Sequence, residues 1–167
     1  MPVTPNNEIY ASAGCKVSIG TTAAISFTTD AAALTAFKAD TFVEVKSMRD
    51  FDDIGGEAEV IEFKSLNDPV RRVKGVKDTG VMEMTVARNP TDPGQVAMRA
   101  AYAAGNVSYN FKVELTDAQT GGTGNNSAIY FRALVSSAKA SIGSTSDVTL
   151  EKFKMASTSK PIFDIAA

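Results

Sequence analysis

From Phe42 to Met155, apolar and polar residues alternate with a period of two in one segment after another. That period sends successive side chains to opposite faces of a strand. The pattern is interrupted by a charged loop, Asn67 to Asp78, and by one short helix, Pro93 to Ala103. A chain patterned this way is expected to be mainly β: a β-sandwich or split barrel with one short α-helix packed on it.

The cleanest strand sets Val107, Tyr109, Phe111, Val113 and Leu115 against Ser108, Asn110, Lys112 and Glu114, one face for a core and one for solvent. Met82, Met84 and Val86 likewise share one face of the strand Thr79 to Arg88, opposite Val81, Glu83, Thr85 and Ala87. A Met pair at that spacing reads as core packing, not as a soft-metal site. Further strands are expected over Phe42 to Met48 and Glu57 to Lys64, joined by an acidic turn, Arg49 to Gly56. Ala128 to Ser137 and Asp147 to Ala156 form the last long hairpin, and Lys160 to Ile165 an extended tail. In the helix, Asp92 caps, Pro93 takes the first position, Val96, Ala100 and Ala103 face one side with Arg99 beside them, and Gly105 stops it.

Residues 1–41 differ in composition, with few charges and many Ala, Ser and Thr. They read as an N-terminal arm containing a hairpin, Cys15 to Ile19 and Ala24 to Phe27 about Gly20 and Thr21. A short helix follows, capped by Asp30, with Leu34 and Phe37 as its apolar stripe. Residues 42–167 form the β core, and arm and core make a single domain.

The composition bounds the chemistry. There is no histidine, which removes the commonest general base and metal ligand. The one cysteine, Cys15, has neither a disulfide partner nor an activating histidine, so no catalysis and no cofactor are expected. The residues Asp50, Asp52, Asp53 and Glu57 lack the spacing of an EF-hand loop, so no metal is expected. Gly121, Gly122, Thr123 and Gly124 are followed by no lysine and no helix start, which makes them a hairpin tip and not a phosphate loop. Lys+Arg 17 against Asp+Glu 19 gives no global attraction to a polyanion. The basic run from Arg71 through Arg72 and Lys74 to Lys77 lacks the interleaved aromatics of nucleic-acid modules. It reads as a contact arm toward an acidic surface on another copy of the chain. No apolar run reaches the roughly 20 residues a membrane span needs, and no secretory leader opens the chain, so a reducing cytosol and no membrane are expected.

From Phe42 to about Pro161 the order of pieces resembles the tail tube protein family of long-tailed, siphovirus-like bacteriophages. The resemblance rests on the strand through Val43 to Met48, the end Ser65-Leu66-Asn67-Asp68, the charged loop, and Asp78-Thr79-Gly80 opening the next strand. Asp92-Pro93-Gly94, the helix, Tyr109 to Val113, Tyr130 to Ser137 and Val148 to Met155 follow in order. Some relatives carry an immunoglobulin-like C-terminal domain; this chain ends at Ala167, so decoration of the tail exterior is not implied.

The resemblance implies hexameric rings with a continuous inner β-barrel, stacked into the hollow tube that conducts DNA into the host. Tape measure, tail tip or initiator, and terminator proteins are the implied partners. The implied locations are the virion tail and, during assembly, the host cytoplasm. Duplex DNA must pass without specific binding, which a neutral or acidic bore permits. Glu57, Glu59, Glu62 and Glu83 are the lumen-lining candidates. Asp68, Arg71, Arg72, Lys74, Lys77 and Asp78 are the candidates for ring-to-ring contact. The alternatives are a ring subunit of a bacterial contractile or secretion apparatus, and a monomeric β-sandwich binding module. The module reading suffers from the absence of Trp and from only 8% aromatic residues.

Overall fold

The structure is a computed structural model, described here for residues 10–118 and 124–165. Ten strands and two helices follow in the order β1 (Lys16–Ile19), α1 (Asp30–Lys38), β2 (Val43–Val45), β3 (Met48–Phe51), β4 (Glu57–Phe63), β5 (Arg71–Asp78), β6 (Val81–Ala87), α2 (Pro93–Ala103), β7 (Ser108–Glu114), β8 (Ala128–Ser141), β9 (Leu150–Ser157) and β10 (Ile162–Asp164). Every strand pair is antiparallel, and the main sheet runs β2-β1-β7-β8-β9-β6-β3, with β10 also on β8. The mainly β fold read from the alternation is observed, with two helices packed on it.

The ends of that sheet, β2 and β3, are successive pieces of one chain stretch. β2 pairs with β1, and two residues later β3 pairs with β6, so the sheet closes on itself as an interrupted barrel. Its interior is filled by Val17, Ile19, Met82, Met84, Val86, Phe111, Phe131, Phe153 and Met155. Phe111 and Phe131 stack with centroids 5.4 Å apart. A second cluster lies on the other face of β8, where Ala128 and Tyr130 meet Ala33 and Phe37 of α1 and Ile162 of β10. Both faces of the first half of β8 are therefore buried.

Several sequence expectations change. The strand expected from Phe42 to Met48 is broken at Ser47, whose φ of 61° places it in the left-handed region, at a cost of about 1 kcal/mol. The expected turn after it is half strand, because Met48–Phe51 finds an open edge on β6. Ala24 to Phe27 is not a strand, since β1 already has β2 on one edge and β7 on the other. Thr29, not Asp30, caps α1: its backbone is extended and its Oγ1 accepts from the N–H of Ala32 at 3.1 Å. Asp30 instead lies in the first turn, where a carboxylate favours the helix dipole. The Gly121–Thr123 tip lies outside the described residues.

Asn110, expected on the solvent face of its strand, is buried. The arm crosses over it: Asn110 donates from its backbone N–H to Thr21 O, and from Nδ2 to Ala23 O at 3.1 Å and to Asp40 Oδ2 at 2.7 Å. Helix α2 also turns differently. Gly94, Gln95, Met98 and Ala101 are its buried residues, while Val96, Ala100 and Ala103 face outward. Two apolar stripes compete on this helix, and the one carrying Met98 fits the barrel.

Candidate assembly surfaces

Helix α2 closes one end of the barrel and repairs the broken strand. Asp92 accepts from the N–H of Gln95 at 3.0 Å, capping the helix as the sequence predicts, and its Oδ2 also accepts from the N–H of Lys46 at 3.3 Å. Gln95 Nε2 donates to Lys46 O at 3.2 Å and to Ala87 O at 2.9 Å. Backbone groups that lose ladder partners at the break are thus satisfied by Gln95 of α2 and by its N-cap, Asp92. Gly94 permits the approach, because a Cβ there would sit 2.2 Å from Glu44 O. At the other end of the helix, Gly105 has φ +75° just beyond the C-cap Ala104, the conformation that stops a helix.

Arg99 leaves α2 toward β9, where it donates from Nε and Nη2 to Glu151 at 2.6 to 3.1 Å. The hydrogen bond to Glu151 raises the Arg99 pKa above its ordinary value, against the opposing effect of burial. Arg88 reaches the same carboxylate only at 3.7 Å.

The segment expected as a charged loop is largely a strand. Arg71–Asp78 is β5, and it pairs only with β4 to form a separate hairpin, leaving a short connection at residues 64–70. The run resists sequence reading because its charges and Gly75 mask the alternation. On one face stand Glu59, Ile61, Phe63, Val73 and Arg71; on the other Val60, Glu62, Arg72 and Lys74. Glu62 pairs with Arg72 at 2.7 Å. Phe63 is 64% exposed and Val76 78%, and no residue of β4 or β5 belongs to either hydrophobic cluster. Of the ring-contact candidates, Arg71, Arg72, Lys74, Lys77 and Asp78 are on β5, and Asp68 is in the connection at its distal end. Such an array of exposed apolar residues marks an interaction surface.

The lumen candidates divide between two sheets. Glu57, Glu59 and Glu62 are on β4 of the hairpin, whereas Glu83 is on β6 of the barrel, facing away from the core. Glu83 meets Lys152 at 3.4 Å and Lys154 at 3.7 Å. Lys139, opposite Lys152 in the β8–β9 register, extends the same exposed face. The sequence reading missed these three lysines; their alternation with Phe153, Met155 and Ala138 was the available signal.

Among the described residues, two strand edges beside this face have no partner. β8 pairs with β7 only up to Leu134, so Val135 to Ser141 have a free edge on the side away from β9. β3 pairs only with β6. Next to β3 is a cleft of about 380 Å³ lined by Cys15, Met48, Phe51, Ile54 and Leu115. Among the described residues, no group of three or more acidic or cysteine side chains is placed to hold a metal, and no helix is long and apolar enough to cross a membrane.

Residues 10–151 match the family described as phage tail tube protein, TTP. No curated protein matches the chain. Among solved structures, the tail tube of SPP1 is similar at 15% identity with a TM-score of 0.61, covering 94% of this chain and 81% of that one. The sheath-tube complex of an extracellular contractile injection system, PVC, in its extended state is similar at 11% identity with a TM-score of 0.65, covering 96% and 95%. The tail of a GTA particle refined with C6 symmetry is similar at 18% identity with a TM-score of 0.55, covering 77% and 89%. At these identities the structural likeness carries the fold.

Proposed function

The chain belongs to the phage tail tube protein family, and from that premise we propose that six copies form a ring and that rings stack into the tube through which duplex DNA leaves the virion. The observation that carries this reading is the β4–β5 hairpin, whose apolar residues Val60, Ile61, Phe63, Val73 and Val76 are exposed and belong to neither hydrophobic cluster among the described residues. A hairpin of this kind is stable when a neighbouring copy covers it.

The free edges supply the ring contact. Chain direction alternates through β8, β9, β6 and β3, so rotating one copy about an axis sets its β3 antiparallel to the β8 of the next. Pairing them continues one antiparallel sheet around the ring and removes both open edges. The core face of that sheet is filled by Met82, Met84 and Phe153, so the face bearing Glu83, Lys139, Lys152 and Lys154 turns to the bore. Glu83 is the lumen candidate carried by that sheet. With Lys139, Lys152 and Lys154 beside the one carboxylate of Glu83, this stretch of wall is more basic than the neutral or acidic lining expected, and salt screening limits its attraction to DNA.

The role is structural, without catalysis. Tape measure protein inside the tube, an initiator at the tip and a terminator at the head end complete the assembly, which takes place in the host cytoplasm before the tube enters the virion. Likeness to the PVC tube favours a second reading, a tube within a contractile apparatus; co-purification of a sheath subunit with the tube would mark that case.

Negative-stain electron microscopy of the purified protein at high concentration tests the proposal. Tubes or rings of uniform width support it. Particles that stay single and small across the concentration range, with or without a tail tip complex added, overturn it.

A further inference from the structure

We propose that Lys139 of one copy seats between Asp50 and Asp52 of a second copy beside it, so that opposite charges at the two open sheet edges set how copies join within a ring. One row of the sheet runs Asp50, Thr85, Lys152, Lys139 across β3, β6, β9 and β8. The next row begins at Asp52, whose N–H donates to Glu83 O at 3.1 Å, and continues through Glu83, Lys154 and Ser137. Both rows carry a carboxylate on β3 or its continuation, at one open edge. The first carries an ammonium at the other.

Lys139 is exposed and has no ion pair among the described residues. It stands directly opposite Lys152, a like charge that destabilises a cross-strand pair, while Glu83 is held by Lys152 and Lys154. Asp50 keeps 69% of its side chain exposed, and its one ion pair among the described residues is to its chain neighbour Arg49, at 3.3 Å. Asp52 accepts the N–H of Glu83 with one oxygen, at 2.9 Å, and has no ion pair among the described residues. The free half of β8, Val135 to Ser141, holds no charge besides Lys139, whereas residues 49–53 hold Asp50, Asp52 and Asp53 against Arg49. A cation without a counter-ion on one edge therefore faces an excess of carboxylates on the other.

Side-chain direction restricts how these edges can meet. Met48 and Phe51 of β3, and Val135 and Ala138 of β8, pack toward the core. Pairing must keep them on one side, so the allowed registers differ by even steps. With rows running level across the seam, Lys139 is opposite Asp50, and Asp52 lies on the diagonal, about 7 to 8 Å away. Closing a barrel tilts its strands and steps its rows. A step of two toward the end of β3 sets Lys139 opposite Asp52, with Asp50 on the diagonal. In either register the long lysine side chain reaches both carboxylates. The charges also oppose the wrong contacts: two β8 edges would bring Lys139 against Lys139, and two β3 edges would bring aspartates together. What remains is the heterologous contact, β8 on β3, which repeats around a ring.

This inference rests on the tube reading, and the test separates the two. Lys139→Glu, and separately Asp50→Lys/Asp52→Asn, place like charges at every seam; the Asp52→Asn amide still accepts the N–H of Glu83. The three positions are exposed, so unfolding temperatures should match wild type. Each variant alone should need about tenfold more protein to form rings or tubes, because attraction becomes repulsion. Mixed in equal amounts, the two should assemble near the wild-type concentration, alternating around the ring as six copies permit. In a Cys15→Ser background, Asp50→Cys with Lys139→Cys should give, under a short bismaleimide, a ladder of linked chains ending at six, absent from either single-cysteine variant. Charge variants that each assemble like wild type, a mixture no better than its components, or cysteine-pair tubes without a ladder overturn the seam contact and leave the tube reading standing. Wild-type protein that stays single overturns both.

Discussion

Arg99 on α2 and Glu151 on β9, 52 positions apart, are joined by hydrogen bonds from two guanidinium nitrogens, the shortest at 2.6 Å. Glu151 is almost wholly buried, while Arg99 keeps about a quarter of its side chain exposed. The pair ties the helix that closes the barrel to the middle of the sheet. Arg99→Ala would leave the carboxylate with only the distant Arg88, and the loss should be about 3 kcal/mol, the range for one partner of a buried pair. Chemical denaturation of the monomer measures it. Replacing both residues, as Arg99→Met/Glu151→Met, should cost much less than Arg99→Ala.

Gly94→Ala would push a methyl group into the backbone of Glu44 and Val45, atoms that cannot yield as a flexible side chain can. The expected cost is about 2 to 3 kcal/mol, as for overpacking a tight core. Thermal unfolding should show it, and Ala97→Gly, on the same helix but only partly buried, should show a smaller loss.

Asp40 fastens the arm to β7 by accepting four hydrogen bonds, from Thr21 N–H and Oγ1, Thr41 N–H and Asn110 Nδ2. Burial pushes its carboxyl up, and the hydrogen bonds from Thr21, Asn110 and Thr41 outweigh that, so its pKa lies below the ordinary value. A depressed folded-state pKa means the stabilisation is complete above the unfolded value of about 3.9 and is lost as pH falls through the folded one. Asp40→Asn should cost about 1 to 3 kcal/mol at neutral pH. In denaturation curves, the gap to wild type should narrow below pH 4 and stay constant above pH 5.

Deleting residues 57–78 and joining Gly56 to Thr79 removes the hairpin at a point where its two ends already touch, Gly56 lying against the backbone of Asp78. The barrel should fold with unchanged unfolding temperature, since no hairpin residue belongs to its core. Electron microscopy should show no tubes. A large drop in stability would mean that the hairpin supports its own barrel.

Glu83→Lys exchanges the bridge between Lys152 and Lys154 for a fourth ammonium on the face that also carries Lys139. The pairs are exposed, so stability should change by less than about 1 kcal/mol. Tails carrying the substitution should assemble and eject DNA more slowly, with the delay shrinking as salt rises. Ejection kinetics at wild-type speed and low salt would remove Glu83 from the bore.

The strands of this protein are legible in its alternation. Met82, Met84 and Val86, and Phe111 with Val113, are on the buried faces that a period of two assigns them. Asp92, Pro93 and Gly105 mark the bounds of α2 through local backbone chemistry that needs no tertiary partner. Other features depend on segments distant in the chain. Asn110 is polar in sequence and buried in the fold because residues 20–23 cross over it. Val96, Ala100 and Ala103 form as good an apolar stripe as Met98 and Ala101, and only the shape of the barrel end decides which of them goes inside. Arg71–Asp78 becomes a strand because Glu57–Phe63 offers it an edge. Periodicity fixes which side chains share a face, a local property of backbone geometry; what covers that face is set by contacts between residues far apart in sequence, and those the tertiary structure alone decides.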